Sequence, residues 1–103
     1  MDLVDRSVMG SAALLPAGGR STIVLRGVVD VRLTPELARV ISRAADAGLP
    51  VDVDASGVST IDTAAAASLA WLAASCAGQV RLLGATDAVR AVLDSTGVAE
   101  LLS

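Results

Sequence analysis

The segment from Val51 to Cys76 constrains the fold more than any other part of the chain. It begins with an alternation of Val and Asp over Val51–Asp54, which predicts a strand, and continues through Ser56-Gly57, which predicts a turn. From Asp62 onward neither Pro nor Gly interrupts the chain up to Cys76, so this run is predicted to be helical. We therefore expect a strand that leads through a turn into the N-terminus of a helix.

Asp62 and Thr63 lie at the predicted start of this helix. The first N–H groups of a helix have no partner within it, and a short side chain with an oxygen accepts hydrogen bonds from them. Either residue could be the cap. The other is then displayed at the positive end of the helix, where added negative charge is tolerated. A hydroxyl in that place is the main functional signal in the sequence.

Length and hydropathy bound the architecture. The chain has 103 residues, which suffice for one domain with a single core and are too few for two. Hydrophobic residues make up 53% of it, but many are alanine, and no stretch approaches the roughly 20 apolar residues of a membrane span. The longest apolar run, from Ala64 to Ala74, is interrupted by Ser68. The N-terminus lacks the pattern of a secretory signal, so we expect a cytoplasmic protein that does not insert into a membrane.

Charge and residue types exclude several functional classes. The net charge is -3 with no Lys, so no basic stripe is available for a phosphate backbone, and nucleic acid is not an expected partner. Trp71 is the only aromatic residue, and the absence of His removes the commonest general base and metal ligand. The single cysteine, Cys76, is expected to pack as a small hydrophobic residue. No cofactor, metal or enzymatic activity is expected.

The remaining elements alternate between strands and helices. Residues 1–10 mix charged and small residues without periodicity and are expected to be loosely ordered, and residues 11–103 form the predicted domain. Strands are predicted at Ser11–Leu15, Ser21–Arg26, Val51–Asp54 and Gln79–Leu83, ended by Pro16, Gly27, Ser56-Gly57 and Gly84. This order predicts an α/β domain with a small mixed sheet of about four to five strands and helices packed against it.

Two further helices have recognisable N-termini. Thr34-Pro35-Glu36 predicts a start with Thr34 as the cap, and apolar residues then recur at helical spacing until Gly48 stops the helix. Thr86-Asp87 predicts the start of a helix over Ala88–Ser95 that Gly97 ends. Residues 98–102 fit either a last helical turn or a short strand.

Asp52 and Asp54 alternate with valines and are expected to face the same side of their strand, with Asp62 nearby. Paired carboxylates could hold a metal ion or share acid–base chemistry. We favour the alternative that they mark the solvated face or end of an edge strand, because no His, Lys or further Glu stands nearby. Thr63 as a nucleophile would need an adjacent base, and the chain offers only carboxylates.

Five segments in a consistent order resemble one family. They are Val24–Asp30, Val51–Val58, Ile61-Asp62-Thr63, Val80–Ala85 and Val89–Val98. The second resembles a D-x-S-G-V strand and turn, the third an Asp followed by Ser or Thr, and the last a V-x-x-x-L-x-x-x-G-L helix. Together they cover about Ser21 to Leu102, and on them the chain resembles the STAS domain of bacterial anti-sigma factor antagonists.

The resemblance implies a regulatory binding module without enzymatic activity. In such antagonists the Ser or Thr after the Asp is phosphorylated by an ATP-dependent anti-sigma factor, and only the unmodified form binds that kinase. Carried onto this chain, the phosphoacceptor is Thr63. The implied partner-binding residues are Asp30, Asp62, Thr63, Ala64, Ser68 and Trp71. Trp71 by itself fits a packing role as well as a contact, and the oligomeric state is left open.

A second function is also compatible with the resemblance, namely a STAS accessory subunit of an ABC-type lipid transporter that binds the ATPase subunit. In that case Thr63 is a contact residue and no kinase is needed. The chain also departs from the family pattern, because Ala64-Ala65-Ala66 replaces a continuation that contains Gly. A Cβ at Ala65 is expected to obstruct the close approach of a kinase backbone.

Overall fold

The computed structural model describes residues 10–76 and 79–102. The expectation that residues 1–10 are loosely ordered falls almost entirely outside this part of the chain. Within it, one mixed four-stranded sheet carries three α-helices and two short 3₁₀ turns. The α/β class and the mixed sheet with helices packed against it are thus confirmed, with the strand number at the lower end of the predicted range.

The strands lie in the sheet in the order in which they occur in the sequence. Their bounds are β1 Ser11–Ala17, β2 Arg20–Val29, β3 Val51–Ile61 and β4 Val80–Leu83. β1 runs antiparallel to β2, and β2, β3 and β4 are parallel to one another. The carboxyl ends of β2 and β3 therefore meet at one edge of the sheet, where Val29 pairs with Ile61.

Each parallel connection passes through a helix. Their bounds are α1 Thr34–Ala47, α2 Thr63–Ser75 and α3 Asp87–Ser95, and the 3₁₀ turns are Val31–Leu33 and Val98–Leu101. α1 packs against α2 and β1, and α2 packs against α3 and the second 3₁₀ turn. The right-handed crossovers expected between parallel strands would place these helices in one layer over one face of the sheet.

The core lies between this layer and the sheet and is almost wholly aliphatic. Its largest fully buried side chains come from β2 and from all three helices: Ile23, Leu25, Leu37, Ile41, Leu69, Leu72 and Leu93. The sequence contains no Phe or Tyr, so the core is filled by aliphatic side chains on closely packed helices and strands instead of by large aromatic rings. Ala65 and Ala66 are 0% exposed, so their methyl groups let α2 pack closely against its neighbours.

Both central strands are longer than predicted. β2 continues past Gly27 and β3 past Ser56-Gly57, because pairing resumes beyond a register shift and Gly27 and Val28 lie opposite Val58 and Thr60. Gly27 has φ 73°, a left-handed conformation that suits glycine within such an irregularity. The prediction of a strand end and a turn there was wrong, since these glycines mark a bulged pair of strands.

The capping of α1 also differs from the prediction. Leu33 occupies the N-cap position without a side-chain hydrogen bond, and Thr34 is the first helical residue. The helix follows directly on a 3₁₀ turn, so its start is preceded by an already turned backbone. By contrast Thr86 caps α3 as predicted, with its hydroxyl accepting from Val89 N at 3.3 Å, and residues 98–101 form the helical turn that was one of two alternatives.

Asp52 is not on an edge strand, which corrects the interpretation favoured from the sequence. β3 lies between β2 and β4, and the Asp52 side chain is only 12% exposed. Arg81 on β4 and Arg20 on β2 each donate two hydrogen bonds to its carboxylate, at 2.8–3.2 Å. The carboxylate of Asp54 accepts from the Ser56 hydroxyl at 2.7 Å. Both carboxylates thus have partners within the sheet.

This cluster predicts a pH-dependent stability. The hydrogen bonds from Arg81 and then Arg20 hold the pKa of Asp52 far below its ordinary value of 3.8. Because the folded-state pKa is depressed, the stabilisation is present above the unfolded-state pKa and is lost as the pH falls below about 4. We expect Asp52→Asn to lower the free energy of unfolding at pH 7, with the difference from the wild type shrinking in urea titrations at lower pH. A difference that stays constant down to pH 3 would contradict this assignment.

Candidate functional site

The candidate site lies where β2 and β3 end. Val29 and Ile61 are paired there, and the chain continues from β2 into the first 3₁₀ turn and from β3 into α2. Asp62 N donates to Val29 O at 3.2 Å, so the two connections remain side by side as they leave the sheet. This edge brings together residues separated by about 30 positions, as the carboxyl ends of parallel strands do in α/β domains.

Asp62 is the residue that caps α2. Its backbone is extended, and its carboxylate Oδ1 accepts from Ala65 N at 2.8 Å. The second oxygen, Oδ2, accepts from Val31 N at 3.0 Å. One half-buried carboxylate therefore joins the start of α2 to the first 3₁₀ turn, and the choice that the sequence left open between Asp62 and Thr63 is settled in favour of Asp62.

Thr63 is the first residue of α2 and is exposed. Since Asp62 already receives the Ala65 N–H, the Thr63 hydroxyl is not needed as the cap. It lies at the end of the helix where the macrodipole is positive. Ala64, the next residue, is half-buried. The structure thus places Thr63 within reach of an approaching molecule.

Ala65 does not obstruct that approach, contrary to the expectation from the sequence. It is 0% exposed, so its Cβ lies inside the domain, and the same holds for Ala66. The Ala-rich continuation after Thr63 is explained by packing of α2 against the core. The absence of Gly at this position therefore leaves the surface around Thr63 open.

Asp30 directly follows β2, at the same end of the sheet. Its carboxylate caps the first 3₁₀ turn by accepting from Arg32 N at 3.0 Å, and it forms an ion pair with the Arg32 guanidinium at 2.9 Å. These hydrogen bonds from Arg32 lower the pKa of Asp30. The Asp30 side chain is 24% exposed, so it is directed partly toward solvent but is engaged with its own turn.

Val31 was missed by the sequence analysis. It lies between Asp30 and Arg32, its N–H is held by Asp62, and its side chain is 61% exposed, more than any other large hydrophobic residue in the described chain. The sequence offered little to distinguish Val31, because Val28, Val29 and Val31 together look like one apolar connection. Its exposure places an apolar side chain at the end of the sheet where α2 begins.

The exposed face of α2 extends the site along the helix. Thr63, Ala67 and Trp71 are spaced by four residues and are all exposed, so they form one stripe, which we call the α2 face. Trp71 is 47% exposed. Ser68 is half-buried, and its hydroxyl donates to Ala64 O at 3.3 Å. No residue of α2 is charged, so the α2 face is a neutral strip with one indole near its C-terminal end.

The site offers an exposed Thr63 hydroxyl next to a carboxylate that is already hydrogen-bonded. The carboxylate of the preceding residue, Asp62, accepts two backbone hydrogen bonds and is held in place by them. Among residues 10–76 and 79–102, no group of three or more His, Cys, Asp or Glu is arranged to hold a metal ion. Over the same residues, no helix has the length and hydropathy required to cross a bilayer.

The capping geometry leads to a prediction about stability. Asp62→Ala removes both acceptors and is expected to lower the free energy of unfolding by about 1–2 kcal/mol, at the upper end for a lost N-cap because Val31 N also loses its partner. Thr63→Ala, its neighbour, is expected to change it by less than about 0.5 kcal/mol, as an exposed position without a capping role does. Urea unfolding followed by circular dichroism measures both. A larger loss for Thr63→Ala than for Asp62→Ala would show that the cap is misassigned.

Comparison with known proteins places this geometry in a family. No curated protein sequence matches the chain. Among solved structures, the crystal structure of an anti-sigma factor antagonist from Mycobacterium paratuberculosis superposes with a TM-score of 0.81 and 18% identity, over 91% of this chain and 83% of that one. At this identity the likeness concerns the fold. The family model described as "Mlab, STAS domain" matches residues 14–103. The chain therefore belongs to the STAS domain family.

Proposed function

We propose that this STAS domain is a non-enzymatic anti-sigma factor antagonist that binds a serine-kinase anti-sigma factor and is switched by phosphorylation of Thr63. The observation that carries the proposal is the exposed Thr63 hydroxyl at the first position of α2, beside a carboxylate that already caps the helix. The likeness in fold to an anti-sigma factor antagonist supports it. The proposed compartment is the cytoplasm, where such a kinase finds ATP.

The helix terminus supports a modification that leaves the domain folded. A phosphoryl group adds a charge of about -1.5 to -2, and a helix N-terminus stabilises such a charge by roughly 0.3–1 kcal/mol. The neighbouring Asp62 carboxylate is negative and offsets part of this gain. Because Asp62 retains the Ala65 N–H, the phosphoryl group does not replace the cap and stays at the surface.

The proposed contact surface combines the α2 face with the neighbouring turn. It comprises Asp30, Asp62, Thr63, Ala64, Ser68 and Trp71, to which the exposed Val31 is added. Apolar area at Val31 and Trp71 supplies a place for burial, since their side chains are 61% and 47% exposed. A partner that seals this neutral surface must desolvate any charge placed on Thr63, which is costly unless the charge is paired. The complex is therefore expected to form only with the unmodified protein.

Incubation with an ATP-dependent anti-sigma kinase encoded in the same genome tests the proposal. We expect phosphate transfer from radiolabelled ATP to the wild type and to Thr60→Ala, and none to Thr63→Ala. Thr60 is the matched control because it is also an exposed threonine, three residues earlier at the end of β3. Labelling should be accompanied by release of the kinase in size-exclusion chromatography.

Two outcomes count against this function. One is the absence of phosphate on Thr63 together with the absence of a complex with the unmodified protein. The other is equal labelling of Thr63→Ala and the wild type, which would place the acceptor elsewhere.

The second candidate function is that of an accessory subunit that binds the ATPase of an ABC-type lipid transporter. The observation that favours it is the α2 face, which carries no charge and ends in a half-exposed indole and so is suited to a persistent contact. Co-purification distinguishes the two functions, because an ATPase subunit would be retained by the wild type with or without ATP. Genes for a permease and an ATPase beside this one favour transport, and a gene for a sigma factor or a kinase favours regulation.

A further inference from the structure

The first strand leaves one side of its backbone without a partner in the described chain. β1 pairs with β2 through the register from Ser11 opposite Arg26 to Ala17 opposite Arg20, and within residues 10–76 and 79–102 no strand pairs with its other side. Such edges are commonly protected by charged residues, by proline or by shortness. β4, the opposite edge, has four residues and includes Arg81. β1 has seven residues and no charge, and its proline, Pro16, lies near one end.

A groove accompanies this edge. It has a volume of about 200 Å³ and lies between β1 and α1. Ala12, Leu14 and Val40 contribute apolar surface, while Arg39 and Arg43 contribute charge from α1. An edge strand with a helix beside it is the arrangement in which an extended peptide adds to a sheet and inserts alternate side chains into the adjoining groove.

The two arginines specify the chemistry of the peptide. Arg39 and Arg43 are exposed, and neither has a carboxylate of the described chain within ion-pair distance. They lie one helical turn apart, about 5–6 Å, and alternate side chains of a strand lie about 6.6 Å apart on one face. Two carboxylates separated by one residue in an extended segment therefore match them. Glu36 also lines the groove and reduces its positive charge without removing it.

We propose that β1 accepts a fifth strand from an acidic extended segment of a partner protein, whose alternate carboxylates pair with Arg39 and Arg43. A second copy of this chain is a poorer occupant, because its β1 segment, SAALLPA, has no acidic residue to meet these arginines. None of the residues that line this groove belongs to the α2 face.

A synthetic peptide of alternating Glu and Val, six residues long with blocked ends and a fluorescent label, is a direct probe for the intact chain. Fluorescence anisotropy at low salt is expected to show saturable binding to the wild type. The double substitution Arg39→Gln and Arg43→Gln is expected to weaken binding about tenfold or more. It removes both arginine–carboxylate ion pairs and the positive charge that attracts the acidic peptide. Arg90→Gln, which removes one exposed arginine on α3, is the matched control and should leave the affinity unchanged.

A second version of the peptide tests the strand pairing itself. Methylation of alternate backbone amides removes the donors that a sheet edge requires and leaves the carboxylates in place, so it should abolish binding. Peptide binding should also slow hydrogen exchange of amides between Ser11 and Leu15.

Four results would overturn the proposal. They are the absence of peptide binding to the wild type, unchanged affinity in the double arginine variant, equal binding of the methylated peptide, and a homodimer in which the β1 amides are protected without any peptide. The last would assign the edge to a second copy of the chain.

Discussion

Replacing Thr63 by Glu is expected to weaken the complex with the anti-sigma partner by about tenfold or more, which corresponds to at least 1.4 kcal/mol of binding free energy. The added carboxylate lies on an exposed first helical position, next to Asp62 and at the end of the neutral α2 face. The fold is not expected to change, because an acidic residue in the first turn of a helix is stabilising. The circular dichroism spectrum should therefore match that of the wild type.

Calorimetric titration of the partner into each variant measures this effect. Thr60→Glu is the matched control, since it adds the same charge to an exposed threonine at the end of β3 and should change the affinity much less. Thr63→Ala should bind like the wild type, because it keeps the site neutral. Equal affinity of the wild type and Thr63→Glu would refute a switch based on charge at this position.

Leu69→Ala is expected to lower the free energy of unfolding by about 2–5 kcal/mol, the range for removing a large aliphatic side chain from a packed core. Leu69 is 1% exposed and belongs to the core cluster beneath α2. The small alanines around it on the helix leave few long side chains that could move into the cavity. The domain's net stability is expected to be only 5–15 kcal/mol, so this variant will lose a large part of it.

Trp71→Ala, two residues further along the helix, provides the contrast. Because Trp71 is 47% exposed, we expect its removal to change the free energy of unfolding by less than about 1 kcal/mol and to weaken the partner complex, as the loss of an interfacial Trp does. Unfolding should be followed by circular dichroism for both variants, since Trp71 is the only aromatic residue of the chain. If Trp71→Ala destabilises the fold as much as Leu69→Ala, the indole is a packing residue.

Local signals in the sequence were sufficient where a single segment determines its own conformation. The helix after Asp62 follows from a run without Pro or Gly, and the cap at Thr86 follows from a short oxygen-bearing side chain before an apolar stripe. The order of strands and helices then favours a small mixed sheet with helices packed against it. The fold class could therefore be predicted without coordinates.

Features that depend on pairing between distant segments could not be predicted in this way. Ser56-Gly57 has the composition of a turn, but β2 lies beside it and continues the pairing past the irregularity, so the backbone stays in the sheet. Asp52 was interpreted as an edge residue, because the sequence does not reveal that Arg20 and Arg81 flank it from neighbouring strands. The role of Val31 likewise depends on an amide held by a carboxylate 31 positions away.

The double use of the Asp62 carboxylate restricts what evolution can place at that position. Ser or Thr would offer a single oxygen with a shorter reach, and Asn would turn an amide group, itself a donor, toward one of the two N–H groups. The Glu side chain is longer by one methylene, so its carboxylate would extend past both N–H groups. Any descendant of this protein that replaces the aspartate must therefore also redesign the loop that follows β2, so substitutions at the two places should be inherited together.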